Sequence, residues 1–232
     1  MKMKQIVACA AVLAASSVAA PAFAGATGNV GVFSQYVFRG VEQSLTSDPA
    51  VQGGLDYAAE SGLYAGTWIS NTEFAGYNGD LVRYETDVYG GYATKFGDLG
   101  VDVGALYYYY TDDSKLNTVE GYFGASYGPV SAKVYYTPAY YGTSESGLYV
   151  SATATFPLSE TVGLAFNVGS SSGDGPKAFL GDSYIDYGAT LTKTIEGGFT
   201  FSLAVLGTDL DTALYPDDKP IAVIGLKKSF DL

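Results

Sequence analysis

The chain has 232 residues, 47% of them hydrophobic, with 30 glycines, 21 tyrosines and 12 phenylalanines, and a formal charge of −12. The complete lack of histidine excludes Ser-His and Asp-His catalytic pairs, and a single cysteine leaves no disulfide framework. The acidic balance also disfavours a nucleic-acid partner.

From the N-terminus, Lys2 and Lys4 precede the apolar run Ile6 to Ala15, which is followed by Ala22-Phe23-Ala24. This is the layout of a signal peptide with an A-x-A cleavage site, and the run is too short to span a bilayer as a helix, which takes about 20 residues. Residues 1–24 are therefore expected to be a signal peptide and 25–232 the mature domain. Cys9 lies too close to the N-terminus to be a lipoprotein acylation site, so the mature protein is expected to lack cysteine.

Beyond residue 25, apolar side chains recur with period two. Tyr84, Thr86, Val88 and Tyr92 alternate with Arg83, Glu85 and Asp87; Val101, Val103, Ala105, Tyr107 and Tyr109 alternate with Asp102, Gly104 and Tyr108. The pattern continues with Val119, Phe123 and Tyr127 against Glu120 and Tyr122, with Leu148 to Phe156, and with Phe199 to Val205. Such alternation predicts strands with one apolar face.

Connections set the architecture. Short turns are expected at 59–62, 96–100, 128–129, 157–161 and 195–198, and longer polar loops at 42–48, 72–81, 111–118, 137–147, 170–182 and 207–219. Tight turns alternating with long loops are typical of outer-membrane barrels, and this rhythm gives one all-β, antiparallel transmembrane barrel of about twelve strands with both termini at the short-turn end. Aromatics near strand ends, among them Phe96, Tyr107 to Tyr110, Tyr135, Tyr136 and Phe156, are expected to form interfacial girdles.

Several segments resemble the TorF-like porins of Gram-negative bacteria. They are Gly28 to Gly40, Asp48 to Tyr57, Ser61 to Asn71, Glu85 to Tyr92, Gly100 to Ala105 and the closing Gly225 to Phe230. The resemblance implies an outer-membrane barrel with a transport role. Its partners would be outer-membrane lipid, lipopolysaccharide and the barrel-insertion machinery, which recognises the last strand. That machinery commonly reads a terminal aromatic, whereas this chain ends Phe230-Asp231-Leu232.

By face parity the lumen is expected to hold Asp56, Glu85, Asp87, Asp102, Glu120 and Asp186 with Arg39, Arg83, Lys95, Lys133 and Lys227, a nearly balanced lining. The long loops hold most of the other acids, including Asp112, Asp113, Asp217 and Asp218, against Lys115, Lys177 and Lys219, so the outer mouth is expected to attract cations. Neither Asp pair has the ligand spacing of a calcium loop, Gly169 to Pro176 lacks the ending of a phosphate-binding loop, and no cofactor or metal is expected. Glu85 and Asp87 have a spacing that suits acid–base chemistry, but in a lumen such pairs tune ion flow. A diffusion channel for small polar solutes or cations leads the functional readings. A surface receptor or adhesin, and a closed structural barrel, are the alternatives.

Overall fold

The computed structural model describes residues 24–44, 48–212 and 219–232. Residues 1–23 of the expected signal peptide, and Asp217 and Asp218, lie outside the described residues.

Twelve strands close into one antiparallel barrel. They are β1 (Gly25–Phe33), β4 (Ala50–Ala58), β5 (Leu63–Ala75), β6 (Leu81–Phe96), β7 (Leu99–Tyr110), β8 (Thr118–Tyr127), β9 (Val130–Thr137), β10 (Gly147–Pro157), β11 (Val162–Ser172), β12 (Tyr184–Ile195), β13 (Phe199–Thr208) and β14 (Ile221–Asp231). Each barrel strand pairs with the next, and β1 closes the ring against β14. A two-stranded hairpin, β2 (Val37–Phe38) with β3 (Val41–Glu42), lies in the first long loop, and a short helix, α1 (Asp174–Leu180), lies in the loop after β11.

All five expected short turns join strands at one end of the barrel. Two have only two residues, Gly97-Asp98 and Gly128-Pro129, and each opens on glycine with φ of 64° and 57°. Two-residue hairpin turns require positive φ at their first central residue, which glycine adopts without a steric penalty.

Burial is inverted relative to a soluble domain. Val103, Phe123, Val134 and Leu203 are exposed on the outer face, while Asp102, Glu120, Lys133 and Ser202 are buried inside. An apolar outer belt around a polar interior is stable in hydrocarbon, and barrel closure satisfies every strand's backbone partners without an open edge.

The aromatic run before the third loop divides by parity. Tyr107 and Tyr109 face outward, as do Tyr136, Phe96 and Phe156. Tyr108, Tyr110 and Tyr135 are instead buried within the barrel, so the girdle expectation is corrected for these three. In a strand, consecutive side chains point to opposite faces, and a run of tyrosines cannot lie on one.

Candidate functional site

The first long loop does not remain outside over its described residues 34–44. Its base is tied to the wall where Ser34 N–H donates to the Ile224 carbonyl at 2.8 Å and Ile224 N–H donates to Ser34 Oγ at 3.0 Å. Tyr36 and Val37 then bury themselves with Phe33, Ala50, Ala204, Leu206 and Val223. The β2–β3 hairpin follows, and its two-residue tip is Arg39-Gly40, with φ of 49° and 78°. Gly40 is required there. A Cβ at that position would lie 2.8 Å from Asp186 Cβ and 2.9 Å from the Gly207 carbonyl oxygen.

Arg39 reaches across the interior to β8, which stands nearly opposite β1 in the ring. Its Nη1 donates to Glu120 Oε1 at 2.9 Å and its Nη2 to Glu120 Oε2 at 2.6 Å. Tyr108 Oη donates to the same carboxylate at 2.9 Å. The guanidinium carbon lies 4.0 Å from the centre of the Tyr149 ring, 4.7 Å from that of Phe38 and 5.0 Å from that of Tyr135. A bidentate pair flanked by aromatic rings is the environment that a planar, weakly hydrated guanidinium favours.

Tyrosine hydroxyls hold the other acids. Tyr36 and Tyr110 donate to the two oxygens of Glu85 at 2.8 and 2.6 Å. Lys133 pairs with Asp102 at 2.9 Å, and Tyr64 donates to Asp102 at 2.6 Å while sharing a hydrogen bond with Tyr122. Tyr89 donates to Asp56, and Tyr149 to Asp186 at 3.2 Å. The hydroxyl ends of several of these rings lie over a glycine of the paired strand: Tyr89 over Gly66, Tyr64 over Gly91, Tyr122 over Gly104. The missing side chain leaves room for the ring against the wall.

That arrangement yields a prediction. A Cβ on Gly66 would lie 2.6 Å from the far end of the Tyr89 ring, so Gly66→Ala should swing the ring inward and separate it from Asp56. Overpacking of this kind costs about 1–3 kcal/mol. Single-channel recording should show lower conductance from a folded barrel; an unchanged value would place this ring away from the conducting path.

The interior charges are not balanced. Among the described residues, Glu85, Asp87, Asp102, Glu120 and Asp186 are buried inside the barrel, and only Arg39 and Lys133 oppose them as buried bases. Asp56 and Lys227 are half-buried, and Lys95 is exposed near the short turn after β6. Arg83 is also exposed, a correction to its assignment by parity, and Val82 takes the buried position. The pairing of β5 with β6 shifts register between Asn71 and Phe74, opposite residues 82–84, and the alternation slips there. Arg39 needs a second correction, since it is carried on the inward hairpin rather than on a wall strand.

Other loops lean over the mouth. Tyr141, with φ of 37°, stacks on Phe179 of α1 at 5.7 Å and contacts Tyr108 at 5.4 Å. Tyr77 donates to the Tyr141 carbonyl at 3.1 Å and carries the Lys115 ammonium 4.0 Å above its ring. Burial, then the nearby Asp113 carboxylate, raises the Tyr77 phenol above its ordinary pKa. Asp113 and Asp112 are loop clamps: Asp113 accepts from the backbone of Tyr77, Asn78 and Lys115, and Asp112 from that of Arg83. Parity alone would have assigned the inward tyrosines, since Tyr108, Tyr122 and Tyr149 share their face with the acids; the inward loop has no such periodic signal.

Solved structures with a similar fold include the KdgM porin, at 10% identity and a TM-score of 0.57 over 89% of this chain and 99% of that one. The NanC porin is similar at 12% identity and a TM-score of 0.58, over 90% and 100% of the two chains. The KdgM porin in complex with disordered oligogalacturonate gives a TM-score of 0.59 at 10% identity, over 88% and 99%. These likenesses establish the fold of an outer-membrane porin. The sequence matches no curated protein. A family model described as "Bacterial protein of unknown function (Gcw_chp)" matches residues 17–230.

Proposed function

The chain belongs to the Gcw_chp family of bacterial proteins of unknown function, and we propose that this member is an outer-membrane diffusion channel for small polar solutes that favours cations. The observation that carries this reading is the excess, among the described residues, of five buried acids over two buried bases inside a closed, porin-like barrel. Twelve strands enclose a narrower space than the 16 to 18 of general porins, and the Arg39 hairpin narrows it further. An anionic sugar acid such as the oligogalacturonate of the KdgM complex would meet repulsion in this interior, so the shared fold does not carry that solute over.

Export through a cleaved signal peptide, residence among lipopolysaccharide, insertion through recognition of β14 with Phe230 as its terminal aromatic, and kinship with the TorF-like porins belong to the same reading. It includes no catalytic step.

Reversal potentials under a salt gradient test it. Cation preference is expected in dilute salt and should persist in part near 1 M, where the Debye length falls to about 3 Å but buried charges are screened least. Preference that vanishes completely at high salt would assign the selectivity to loop acids at the mouth. Anion preference would refute the reading, and a folded barrel without conductance would leave the receptor alternative.

A further inference from the structure

The Arg39 guanidinium is held as a bound ligand would be. The carboxylate that forks it, the hydroxyl of Tyr108 and the rings of Tyr135 and Tyr149 all come from the wall strands β7 to β10. Only Phe38, of the same loop, is not part of the wall. The cage thus belongs to the barrel, whereas its occupant arrives on a loop.

More carboxyl groups surround the cage than its one guanidinium contacts. Glu85, Asp87 and Asp186 are buried in the same interior as Glu120. Asp87 and Asp186 are 5% and 2% exposed, and one oxygen of each has no hydrogen-bond partner among the described residues. Asp186 adjoins the cage directly, through the Tyr149 hydroxyl and through its packing against Gly40 at the hairpin tip. Buried carboxylate oxygens without donors are costly, and a second cation or the donor groups of a larger solute would satisfy them.

We propose that this cage is a binding site for guanidinium-bearing solutes, and that Arg39 is its tethered occupant, which such a solute displaces. Planar bidentate recognition by Glu120 selects guanidinium over a compact ammonium, and the flanking rings favour a flat, weakly hydrated cation. Passage of the solute rests on the cation-channel reading; its binding does not.

The test uses the full-length protein folded in detergent, with gel-mobility shift on heating to verify the barrel, and methylguanidinium as the probe at constant ionic strength. Calorimetry should show that Arg39→Ala, with the cage emptied, binds methylguanidinium about tenfold or more tightly than the native protein, where Arg39 competes. Arg39→Gln should do the same, and Glu120→Gln added to either should abolish the gain. Trp68, the sole tryptophan, packs its ring 5.4 Å from that of Tyr36 at the base of the loop. Its emission in the native protein should therefore move toward that of Arg39→Ala as methylguanidinium saturates. Folded Arg39→Ala and Arg39→Gln barrels that do not bind the probe, or that bind it equally well without Glu120, would overturn the proposal. Bilayer recording separates the two readings. Binding without conductance in any variant upholds the site and refutes the channel, and conductance without binding does the reverse.

Discussion

Glu120→Ala barrels are expected to pass several times the native single-channel current while losing up to about 3–5 kcal/mol of stability, the cost of breaking a buried ion pair from one side. The Arg39 and Glu120 side chains are only 6% and 2% exposed, so the guanidinium left behind has no comparable partner and little water. With the carboxylate gone, the least costly response is withdrawal of the hairpin from the lumen, which returns the buried charge to water. Conductance should therefore rise as stability falls, although Tyr36 and Val37 still anchor the loop base. Planar-bilayer recording and urea unfolding measure the two quantities. Reduced stability with native conductance would mean that the hairpin does not narrow the path.

Leu203→Arg should cost about 2–4 kcal/mol, and Glu196→Arg about 0–1, because a cation on the lipid face is penalised according to its depth. Leu203 lies midway along β13, outward-facing and paired with Leu191 and Ile224, so the three form an apolar row across adjacent strands. Glu196 lies in the short turn after β12. Equilibrium unfolding from lipid vesicles compares them. Equal, small effects at both positions would mean that the outer belt meets water and that the barrel does not span a bilayer.

The strand framework was legible because a barrel wall imposes period two on every residue. The alternation around Glu85 and Asp87, or around Asp102 and Glu120, is enough to set the inward face, and the short turns set the strand order. Parity fails where a strand slips: Arg83 lies opposite the register shift after Asn71 and leaves the inward face that Glu85 keeps. Parity is also silent on loops. The position of Arg39 is decided by a carboxylate 81 residues away, and no local pattern announces a contact of that range. The charge balance differs from the parity count because Arg83 leaves the inward face at the register shift, while Lys95 keeps its register and is exposed beside the turn.

The closure of β1 against β14 also bears on how the molecule assembles. Every other strand pair forms between neighbours in sequence, whereas this seam must wait for the last strand. Until then β1 has an unpaired edge whose backbone groups hydrocarbon cannot satisfy, so a chain ending before β14 would be an open sheet rather than a smaller barrel. The same strand receives the inward loop: Ser34 is bonded on both sides to Ile224, 190 residues later, Phe33 lies over Gly225, and Val223 packs with Tyr36 and Val37. The hairpin that crosses the lumen thus has no complete dock until the final strand is in place. Sealing the wall and docking its obstruction depend on the same strand, so a barrel without β14 would lack both at once.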